Sequence, residues 1–371
     1  MLLEEVGAAG QQRLSEARVL IIGAGGLGSP AALYLAAAGV GTLGIADFDV
    51  VEEHNLQRQL LHPTANLGRP KVESAIETLR GINPLVAYVA HAEGITAANA
   101  VAIFRQYDVV LDGTDNFSAR YLNNDAAFFA QRPLVHGSVF KFEGQVGVFD
   151  PHGGGPCYRC LFPEPPAQGS VPGCGEAGVI GALCGVIGSL QALEVIKLIT
   201  KTEGTLRGKL LTYHSLTHQM TTFALPRAPE CSLCGANRTI TEIVESRYHP
   251  TGPHPTAHSM KENEYPLEIT VSEANALLIS QPDGALLIDV REPHELEICR
   301  VAIAQHIPMR EIPEQIADLP RDRQLLIMCH HGGRSRRVTD YLRAEGLGNV
   351  TNVDGGVDGW AVEIDPTMAR Y

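Results

Sequence analysis

Short apolar runs alternate with longer helical patterns along the first part of the sequence. Runs rich in Val, Ile and Leu predict strands at residues 18–22, 41–47, 109–111, 133–139 and 144–149. Alanine-rich or apolar segments predict helices at residues 27–38, 70–80 and about 176–198, the second of which opens at Pro70. Strands that alternate with helices in this way indicate an α/β sheet.

The pattern breaks at residues 246–264, where the segment from His249 to His258 has no apolar period and contains three prolines. This composition predicts a flexible linker between a domain at residues 1–245 and a smaller one at residues 265–371. The histidines could instead bind a metal, but a solvated tether fits better. About 17 flexible residues would give an r.m.s. reach of ~20–25 Å, enough for one domain to visit a site on the other.

A second, small α/β unit is predicted after the linker. Ser272 is expected to cap a helix, and strands are predicted at residues 285–290 and 324–328. The second of these strands leads directly into Cys329 and a glycine-rich loop, which is followed by a helix at residues 336–344.

Composition narrows the possible functions. The 371 residues suffice for two or three domains, and a net charge of −13 argues against a nucleic-acid partner. The longest uncharged run, residues 177–193, is shorter than the ~20 residues that cross a bilayer and is interrupted by glycines, so we expect a buried helix and no membrane association. The N-terminal residues do not form a secretory signal, and we expect a cytoplasmic protein whose eight cysteines are not a disulfide framework.

A glycine-rich turn follows the first predicted strand. In Gly23-Ala-Gly-Gly-Leu-Gly28 the backbone amides and the start of the next helix would face an anion. Asp47 ends the second strand, where an acidic side chain can bind ribose hydroxyls. A nicotinamide dehydrogenase would show the same pattern, so these residues alone predict only a nucleotide site.

Charged residues at other strand ends favour a triphosphate. Arg58 follows the second strand, Lys71 begins the helix after Pro70, and Asp115 and Asn116 follow the strand at residues 109–111. Two cations offset charge on the α-phosphate and the leaving pyrophosphate, while Asp115 holds Mg²⁺. The sequence therefore favours MgATP over hydride chemistry.

These residues belong to motifs that resemble the MoeB/ThiF branch of the ubiquitin-activating enzyme family over about residues 1–245. The motifs are Gly23-Ala-Gly-Gly-Leu-Gly-Ser, Asp47-Phe-Asp, Asn55-Leu-Gln-Arg-Gln, Pro70-Lys-Val-Glu-Ser-Ala, Asp112-Gly-Thr-Asp-Asn, Gly144-Gln-Val-Gly-Val-Phe, Cys157-Tyr-Arg-Cys, Gly188-Ser-Leu-Gln-Ala-Leu-Glu and Cys231-Ser-Leu-Cys.

The resemblance implies a Rossmann-like domain that adenylates the C-terminal glycine of a ubiquitin-like sulfur carrier (MoaD/ThiS type, ending in Gly-Gly) and acts as a homodimer. The ATP-binding positions that it implies are Gly26, Asp47, Asn55, Arg58, Lys71, Asp115 and Asn116. Family members usually carry an arginine before the region that matches Leu2-Leu3, and it reaches the neighbouring subunit's nucleotide. Here the nearest arginine is Arg13, in a different motif.

Four cysteines form two Cys-x-x-Cys pairs, and a structural zinc site is predicted from Cys157, Cys160, Cys231 and Cys234. One pair alone could be redox-active, but two pairs that bracket a long helix favour a closed tetrahedral Zn²⁺ site, which the resemblance also implies.

A fifth cysteine, Cys174, precedes the predicted helix, whose N-terminus would lower the pKa of its thiol. In the resembling enzymes a cysteine followed by Glu-Ala-Gly-Val lies in a crossover loop and can meet the activated carrier; a spare loop thiol is the alternative. Cys184 is expected in the core, and Cys299 is assigned no role.

The loop Cys329-His-His-Gly-Gly-Arg-Ser335 can curl its amides around the sulfur, with Arg334 adding positive potential. Cysteine phosphatases use the same Cys-x5-Arg spacing, so the loop alone does not distinguish a site for a thiolate or persulfide from a phosphatase site. The motifs Leu286-Leu-Ile-Asp-Val-Arg-Glu, His306-Ile-Pro and Asp354-Gly-Gly-Val-Asp-Gly-Trp resemble the rhodanese family over about residues 265–371. That resemblance implies a persulfide on Cys329.

Together the two parts resemble MoeB-type adenylyltransferases fused to a C-terminal rhodanese domain. The expected reaction is attack of the carrier's carboxylate on ATP, release of pyrophosphate, and sulfur transfer from Cys329 to give a thiocarboxylate, with thiosulfate or a cysteine desulfurase persulfide as donor. The alternatives are activation of a ubiquitin-like protein for conjugation to lysines, and a scaffold that holds nucleotide without turnover. A nicotinamide oxidoreductase is disfavoured by Arg58, Lys71 and the cysteine pairs.

Overall fold

The protein is described by a computed structural model that covers residues 3–165, 178–248, 265–282 and 284–371. The chain divides into two compact units, residues 1–252 and 253–371. Each unit is built around its own sheet with helices on both faces.

The first unit contains an eight-stranded sheet with the order β3-β2-β1-β4-β5-β6-β7-β8. Pairs among β1 to β5 are parallel, and β5 to β8 pair antiparallel. The strands are β1 Arg18–Ile22, β2 Thr42–Ala46, β3 Ala87–His91, β4 Val109–Asp112, β5 Leu134–Phe140, β6 Glu143–Phe149, β7 Lys209–His214 and β8 Gln219–Ala224. The helices are α1 Gly7–Glu16, α2 Gly28–Ala37, α3 Lys71–Ile82, α4 Ala100–Phe104, α5 Phe117–Ala130, α6 Tyr158–Leu161 and α7 Gly181–Thr200.

Apolar residues on both faces of the central strands explain the layered packing. In β1, Val19 and Ile21 join one buried cluster, whereas Leu20 and Ile22 join the other. Successive side chains of a strand point to opposite faces, so a continuous apolar run is buried on both sides. The sequence 18–22 therefore dictates a central strand covered by helices.

Helix α7 is the apolar helix expected from residues 176–198, but it begins at Gly181. Gly178 has a φ of 71° and Val179 forms a bridge with Lys141, so residues 178–180 are not helical. The predicted start at Glu176 is therefore wrong.

Helix α7 packs on β5 and β6. A Cβ on Gly137 would lie 2.4 Å from Gln191 Oε1, and one on Gly144 would lie 2.3 Å from Ile187 Cδ1. Within the described residues it is the one helix long and apolar enough to cross a membrane, and its packing explains its composition.

The second unit has a five-stranded, all-parallel sheet with the order β11-β10-β12-β13-β9. The strands are β9 Glu268–Thr270, β10 Ala285–Asp289, β11 Gln305–His306, β12 Gln324–Met328 and β13 Val350–Asp354. The helices are α8 Val271–Ser280, α9 Pro293–Leu296, α10 Ile312–Gln315, α11 Gly333–Ala344 and α12 Gly356–Glu363.

Helix α8 is capped by Thr270. The sequence-based prediction that Ser272 caps this helix is therefore wrong. The Thr270 hydroxyl accepts a hydrogen bond from the Glu273 backbone N–H at 3.2 Å, and the Glu273 carboxylate accepts one from the Thr270 N–H at 2.8 Å. This reciprocal pair is a capping box, in which both orphan amides find partners. Ser272 instead donates to Glu363 Oε2 at 2.7 Å.

The fold of the first unit continues through Tyr248. Residues Glu245–Arg247 form a 3₁₀ turn, and the buried Tyr248 hydroxyl donates to Asp125 Oδ2 at 2.9 Å. Most of the predicted linker, residues 249–264, lies outside the described residues.

Candidate functional site

A cleft opens at the carboxyl ends of β1, β2 and β4, where the strand order reverses. The loop between β1 and α2 forms its floor. Gly23 has a φ of 88°, and a Cβ on Gly28 would lie 1.8 Å from the Gly23 carbonyl oxygen, so both positions require glycine. The turn brings Gly25, Gly26 and Leu27, the residue before α2, to the cleft, an arrangement suited to phosphate.

The Asp47 carboxylate holds this glycine loop from the end of β2. Asp47 Oδ2 accepts a hydrogen bond from the Ala24 backbone N–H at 2.8 Å, and Oδ1 accepts one from the Asp49 N–H at 2.9 Å. Burial raises the pKa of Asp47, while the nearby Lys71 opposes this shift. Asp47 thus positions the loop and lines the cleft at the place expected for a ribose.

A buried histidine supports the same loop from the other side. His62 Nε2 lies 2.9 Å from the Ala24 carbonyl oxygen, and Nδ1 lies 3.0 Å from the Ser74 hydroxyl. Burial lowers the pKa of His62, so the imidazole is neutral and donates from Nε2 to the carbonyl. The sequence analysis missed this residue.

Two cations lie at the cleft, each held by polar partners. Arg58 Nη2 donates to Asn55 Oδ1 at 2.5 Å, and Asn55 in turn donates to Glu52 at 3.0 Å. The buried Lys71 Nζ lies 2.9 Å from Asp49 Oδ2. Arg58 and Lys71 both line the cleft, where they place two cationic groups.

Acidic and amide side chains follow β4. Asp112 is fully buried, accepts from the Thr114 hydroxyl at 2.7 Å and lies 3.4 Å from His136 Nδ1. Burial raises the pKa of Asp112, but the contacts with His136 and Thr114 outweigh it and hold that pKa below its usual range. Asn116 caps α5 by accepting a backbone N–H bond at 2.8 Å, and Asp115 is exposed at the cleft.

The structure brings most of the predicted ATP-site residues together. Those that line the cleft are Gly26, Asp47, Arg58, Lys71, Asp115 and Asn116. Asn55 does not line it but orients Arg58. Arg13, the arginine nearest to the start of the sequence, donates to the Thr200 carbonyl oxygen at 2.6 Å. The catalytic roles of these residues remain predictions.

Further polar residues in the cleft were missed by the sequence analysis. Three buried atoms on its wall have no hydrogen-bond partner within the described part of the chain: Arg120 Nε, Gln59 Oε1 and Asn123 Oδ1. Buried polar groups without partners are costly, and a bound ligand would supply partners. One sequence signal could have identified Arg120. It lies four residues after the helix cap Asn116 and therefore on the same helix face.

The four paired cysteines converge in one cluster. Cys157 Sγ lies 3.9 Å from Cys160 Sγ and 3.5 Å from Cys231 Sγ, and the Sγ atoms of Cys160 and Cys234 are 3.4 Å apart. All four sulfur atoms lie within 4.8 Å of one another. Four ligands at about 2.3 Å from a tetrahedral Zn²⁺ would be ~3.8 Å apart, so the cluster fits such an ion.

The Cys329 loop follows β12 and precedes α11. The Cys329 sulfur accepts from the Gly332 backbone N–H at 3.2 Å and from the Ser335 hydroxyl at 3.4 Å. Gly332 has a φ of 100°, which bends the chain around the sulfur. The start of α12 fixes the loop from behind, since the Val357 N–H donates to the Cys329 carbonyl oxygen at 2.8 Å. Donors that converge on a cysteine sulfur stabilise an anion there.

Arg334 of this loop is engaged by an acidic residue. Its two terminal nitrogens each donate to a Glu295 carboxylate oxygen at 2.6 Å. Burial raises the pKa of Glu295, but the hydrogen bonds from Arg334 outweigh it and lower that pKa to about 2. The bidentate pair leaves fewer donors for a phosphate dianion, which disfavours the cysteine-phosphatase alternative.

The remaining predicted cysteines have different outcomes. Cys174 lies outside the described residues, so its expected role stays a prediction. Cys184 is buried in α7, as expected, and also lines the nucleotide cleft, 3.1 Å from where a Cβ of Gly26 would lie. Cys299 is structural, since its carbonyl oxygen accepts from Arg291 at 2.9 Å.

Comparison with known families decides the identity of both units. Residues 1–233 match the model of the ThiF family, and residues 270–363 match that of the rhodanese-like domain. The chain belongs to the ThiF family. The resemblance inferred from the motifs and the fold class of a Rossmann-like adenylation unit followed by a rhodanese unit are both confirmed. Membership of the ThiF family implies that the cleft uses ATP.

Relatives match this chain over its whole length. The chain is 43% identical to the probable adenylyltransferase/sulfurtransferase MoeZ of Mycobacterium tuberculosis, over all of this chain and 93% of that protein. It is 39% identical to the adenylyltransferase and sulfurtransferase MOCS3 of Bos taurus, over all of this chain and 86% of that protein.

Solved structures share the fold of the first unit. The crystal structure of Escherichia coli MccB with ATP superposes with a TM-score of 0.55 at 24% identity, covering 61% of this chain and 69% of that one. A second MccB structure, with a MccA derivative, gives a TM-score of 0.56 at 24% identity, over 61% of this chain and 69% of that one.

Proposed function

We propose that this ThiF-family enzyme adenylates the C-terminal glycine of a ubiquitin-like sulfur carrier with MgATP and then converts the adenylate to a thiocarboxylate. The observation that carries the proposal is one chain with two sites. The first is a glycine-loop cleft with Arg58, Lys71 and Asp115 on its walls, and the second is a loop that stabilises sulfur anion on Cys329. The adenylyltransferase and sulfurtransferase activities named for the relatives fit these sites.

In the first step the carrier carboxylate attacks the α-phosphorus of ATP, and pyrophosphate leaves. Charge grows on the α-phosphate and on pyrophosphate, and Arg58 and Lys71 stabilise it from fixed positions. Asp115, which lines the cleft, would hold Mg²⁺, whose charge would offset that of the phosphates. Arg120 is a further donor at the same wall.

In the second step the terminal sulfur of a Cys329 persulfide attacks the acyl carbon, and AMP leaves. The product is an acyl disulfide on Cys329. A second thiolate, for which Cys174 is the proposed residue, attacks the Cys329 sulfur, so that the thiocarboxylate leaves and a protein disulfide forms. A cellular dithiol then reduces this disulfide, and thiosulfate or a cysteine desulfurase persulfide reloads Cys329.

We further propose that the four-cysteine cluster holds structural Zn²⁺. Four thiolates in a buried, closed arrangement are the ligands of structural zinc. The ligands come from two segments of the chain, and Cys160 of the first precedes Cys231 of the second by 71 residues. The ion would therefore tie two distant segments together. No step of the reaction involves it.

A homodimer in the cytoplasm is part of the same proposal. Helix α7 packs on β5 and β6 but exposes Val186 and Leu193, which lie on one face at a spacing of seven residues. An exposed apolar stripe on a packed helix supports an interface with a second copy.

Carrier-dependent ATP–pyrophosphate exchange tests the adenylation step. We expect exchange only with a carrier that ends in Gly-Gly, and Asp115→Ala should abolish it, whereas Asp108→Ala, at the opposite end of β4, should not. Mass spectrometry of the carrier should then show a gain of one sulfur in place of one oxygen. Carrier attached to lysines, without thiocarboxylate, would replace the proposal by conjugation, and absence of exchange from folded, metal-loaded enzyme would contradict it.

A further inference from the structure

Asp112 ends β4, and the turn of residues 113–116 leads from it to α5. This turn carries Asp115 and Asn116 to the nucleotide cleft. The Asp112 side chain is fully buried, and it is not one of the described residues that line the cleft. Any effect of Asp112 on a bound ligand must therefore pass through the residues that it contacts.

One carboxylate oxygen of Asp112 accepts three hydrogen bonds. Asp112 Oδ1 lies 3.1 Å from the Thr114 backbone nitrogen and 2.7 Å from the Thr114 hydroxyl. The side-chain amide of Asn123, on α5, donates to the same oxygen at 3.1 Å. An aspartate that accepts the backbone N–H two residues later closes a local turn. The carboxylate thus fixes the turn and joins it to α5.

Asp112 is itself held by two neighbouring elements. Its Oδ2 lies 3.4 Å from Nδ1 of the buried His136 on β5. Its backbone carbonyl oxygen accepts from Gln191 Nε2, on α7, at 2.7 Å. The His136 ring packs against the rings of Phe149 and Tyr158, with centroids 5.7 and 5.1 Å away. The carboxylate that holds the turn therefore has a fixed position of its own.

The turn also packs against the glycine loop. The Gly113 backbone N–H donates to the Ile22 carbonyl oxygen at 2.8 Å. A Cβ on Gly23 would lie 3.0 Å from the Gly113 carbonyl oxygen, and one on Gly113 would lie 3.1 Å from the Gly28 backbone nitrogen. Two segments that line the cleft are thus in direct backbone contact, and a displaced turn would disturb both.

We infer that Asp112 is a positioning residue of the nucleotide cleft: its carboxylate fixes the turn of residues 113–116 before the nucleotide binds. Through this turn it sets the places of Asp115 and Asn116. A turn that is already ordered loses little conformational entropy when the nucleotide binds, so the affinity is higher. The inference rests on the proposed binding of MgATP in this cleft.

The experiment compares Asp112→Leu and Asp112→Asn with the parent by two measurements on the full chain. Hydrogen–deuterium exchange of the nucleotide-free protein, read at Thr114 by mass spectrometry with electron-transfer fragmentation, reports on the turn. Titration with MgATP reports on the cleft. Asp112→Leu has a side chain of similar size but no acceptor, so the Thr114 amide should exchange about tenfold faster and MgATP should bind about tenfold more weakly. Asp112→Asn retains an acceptor and should stay within about threefold of the parent in both measurements.

Asp150→Leu is the matched control. Asp150 is a buried aspartate that follows β6, accepts from the Gly153 backbone N–H at 2.9 Å and pairs with Arg207 at 2.7 Å. It is not among the described residues that line the cleft. Its loss should lower the melting temperature, as a purely structural change does, and leave the affinity for MgATP unchanged.

Parental exchange at Thr114, or parental affinity for MgATP, in folded Asp112→Leu would overturn the inference. Should Asp112→Leu not fold, the parent decides. Its Thr114 amide must exchange about tenfold more slowly than that of the exposed Asp115, after correction for intrinsic rates, before any nucleotide is added. A Thr114 amide that becomes protected only when MgATP is added would overturn the inference.

Failure of the proposed function gives a different result. The exchange measurement needs no nucleotide and no carrier. A parent chain that binds no MgATP contradicts the proposed function, and the turn then has no nucleotide to position. MgATP binding that is the same in the parent and in Asp112→Leu contradicts only this inference.

Discussion

Arg159 and Asp125 form a buried bidentate ion pair, in which Arg159 Nε lies 2.8 Å from Asp125 Oδ1 and Arg159 Nη2 lies 2.8 Å from Asp125 Oδ2. Arg159 lies in the sequence between Cys157 and Cys160 of the four-cysteine cluster, and Asp125 lies on α5, the helix that begins at the nucleotide cleft. The pair therefore joins the cysteine cluster to the element that presents Asn116 to the cleft.

Breaking this pair on one side should be strongly destabilising. Arg159→Met leaves a buried carboxylate without its partner, and we expect a loss of about 3–5 kcal/mol in the free energy of unfolding. The Arg159→Met/Asp125→Leu double variant should lose less than Arg159→Met alone, because no charge remains buried. Urea unfolding of the single and double variants measures the difference, and additive losses would argue against a coupled pair.

Metal removal should loosen the same region. We expect purified protein to contain about one zinc per chain, and Cys231→Ser to lower the metal content and the melting temperature together. Cys299→Ser, which changes a cysteine outside the cluster, should retain the metal. Metal analysis with thermal unfolding checks both, and full metal content in Cys231→Ser would place the zinc elsewhere.

Seven of the thirteen described strands and both cysteine motifs could be recognised from the sequence because their signals are local. The run at 18–22 is apolar at every position after Arg18, and glycines follow it at once, so strand and turn are specified within a few residues. The same holds for the loop that starts at Cys329. The sequence did not predict strands β3, β7, β8, β9, β11 and β13. In β3, for example, the residues are mostly exposed or half-exposed and carry no strong apolar period.

Other features depend on contacts between distant segments. His62 supports Ala24 across 38 residues, and Tyr371 reaches Glu295 across 76, so no local pattern reports them. The cap of α8 was misassigned because Ser272 and Thr270 are both good capping residues. Only the hydrogen bond from the Glu273 backbone N–H to the Thr270 hydroxyl identifies Thr270 as the cap.

The tight contact at Gly28 predicts that the cleft does not accept a side chain there. Gly28→Ala would place a Cβ 1.8 Å from the Gly23 carbonyl oxygen, and we expect a loss of about 2–3 kcal/mol in stability together with weaker ATP binding. Gly81→Ala is the matched control, because that helical position is exposed and has open space. Thermal unfolding and nucleotide titration compare the two, and equal behaviour would show that the glycine loop is not constrained as described.

Lys71 should matter for the reaction more than for the fold. Its ammonium group is fixed by Asp49 at the cleft, so Lys71→Met removes a charge that stabilises the transition state, and the exchange rate should fall about 10²–10³-fold. Lys209→Met, at an exposed strand end, should leave exchange unchanged. If the Lys71→Met enzyme retains the parent kcat, residues other than Lys71 stabilise the charge on the phosphates in the transition state.

Glu295 should make the stability of the second unit depend on acid pH. Its pKa is about 2 in the folded chain, against the ordinary glutamate value of 4.5, so the stabilisation is complete above about pH 5 and is lost as the pH falls towards 2. The shift of ~2.5 units corresponds to about 3 kcal/mol, which applies because the carboxylate is largely buried against Arg334. Glu295→Gln should flatten this part of the stability curve, whereas Glu314→Gln, on a separate short helix, should not. Urea unfolding from pH 7 to 3 measures the slope, and a Glu295→Gln curve parallel to that of the parent would show that the Glu295–Arg334 pair does not contribute.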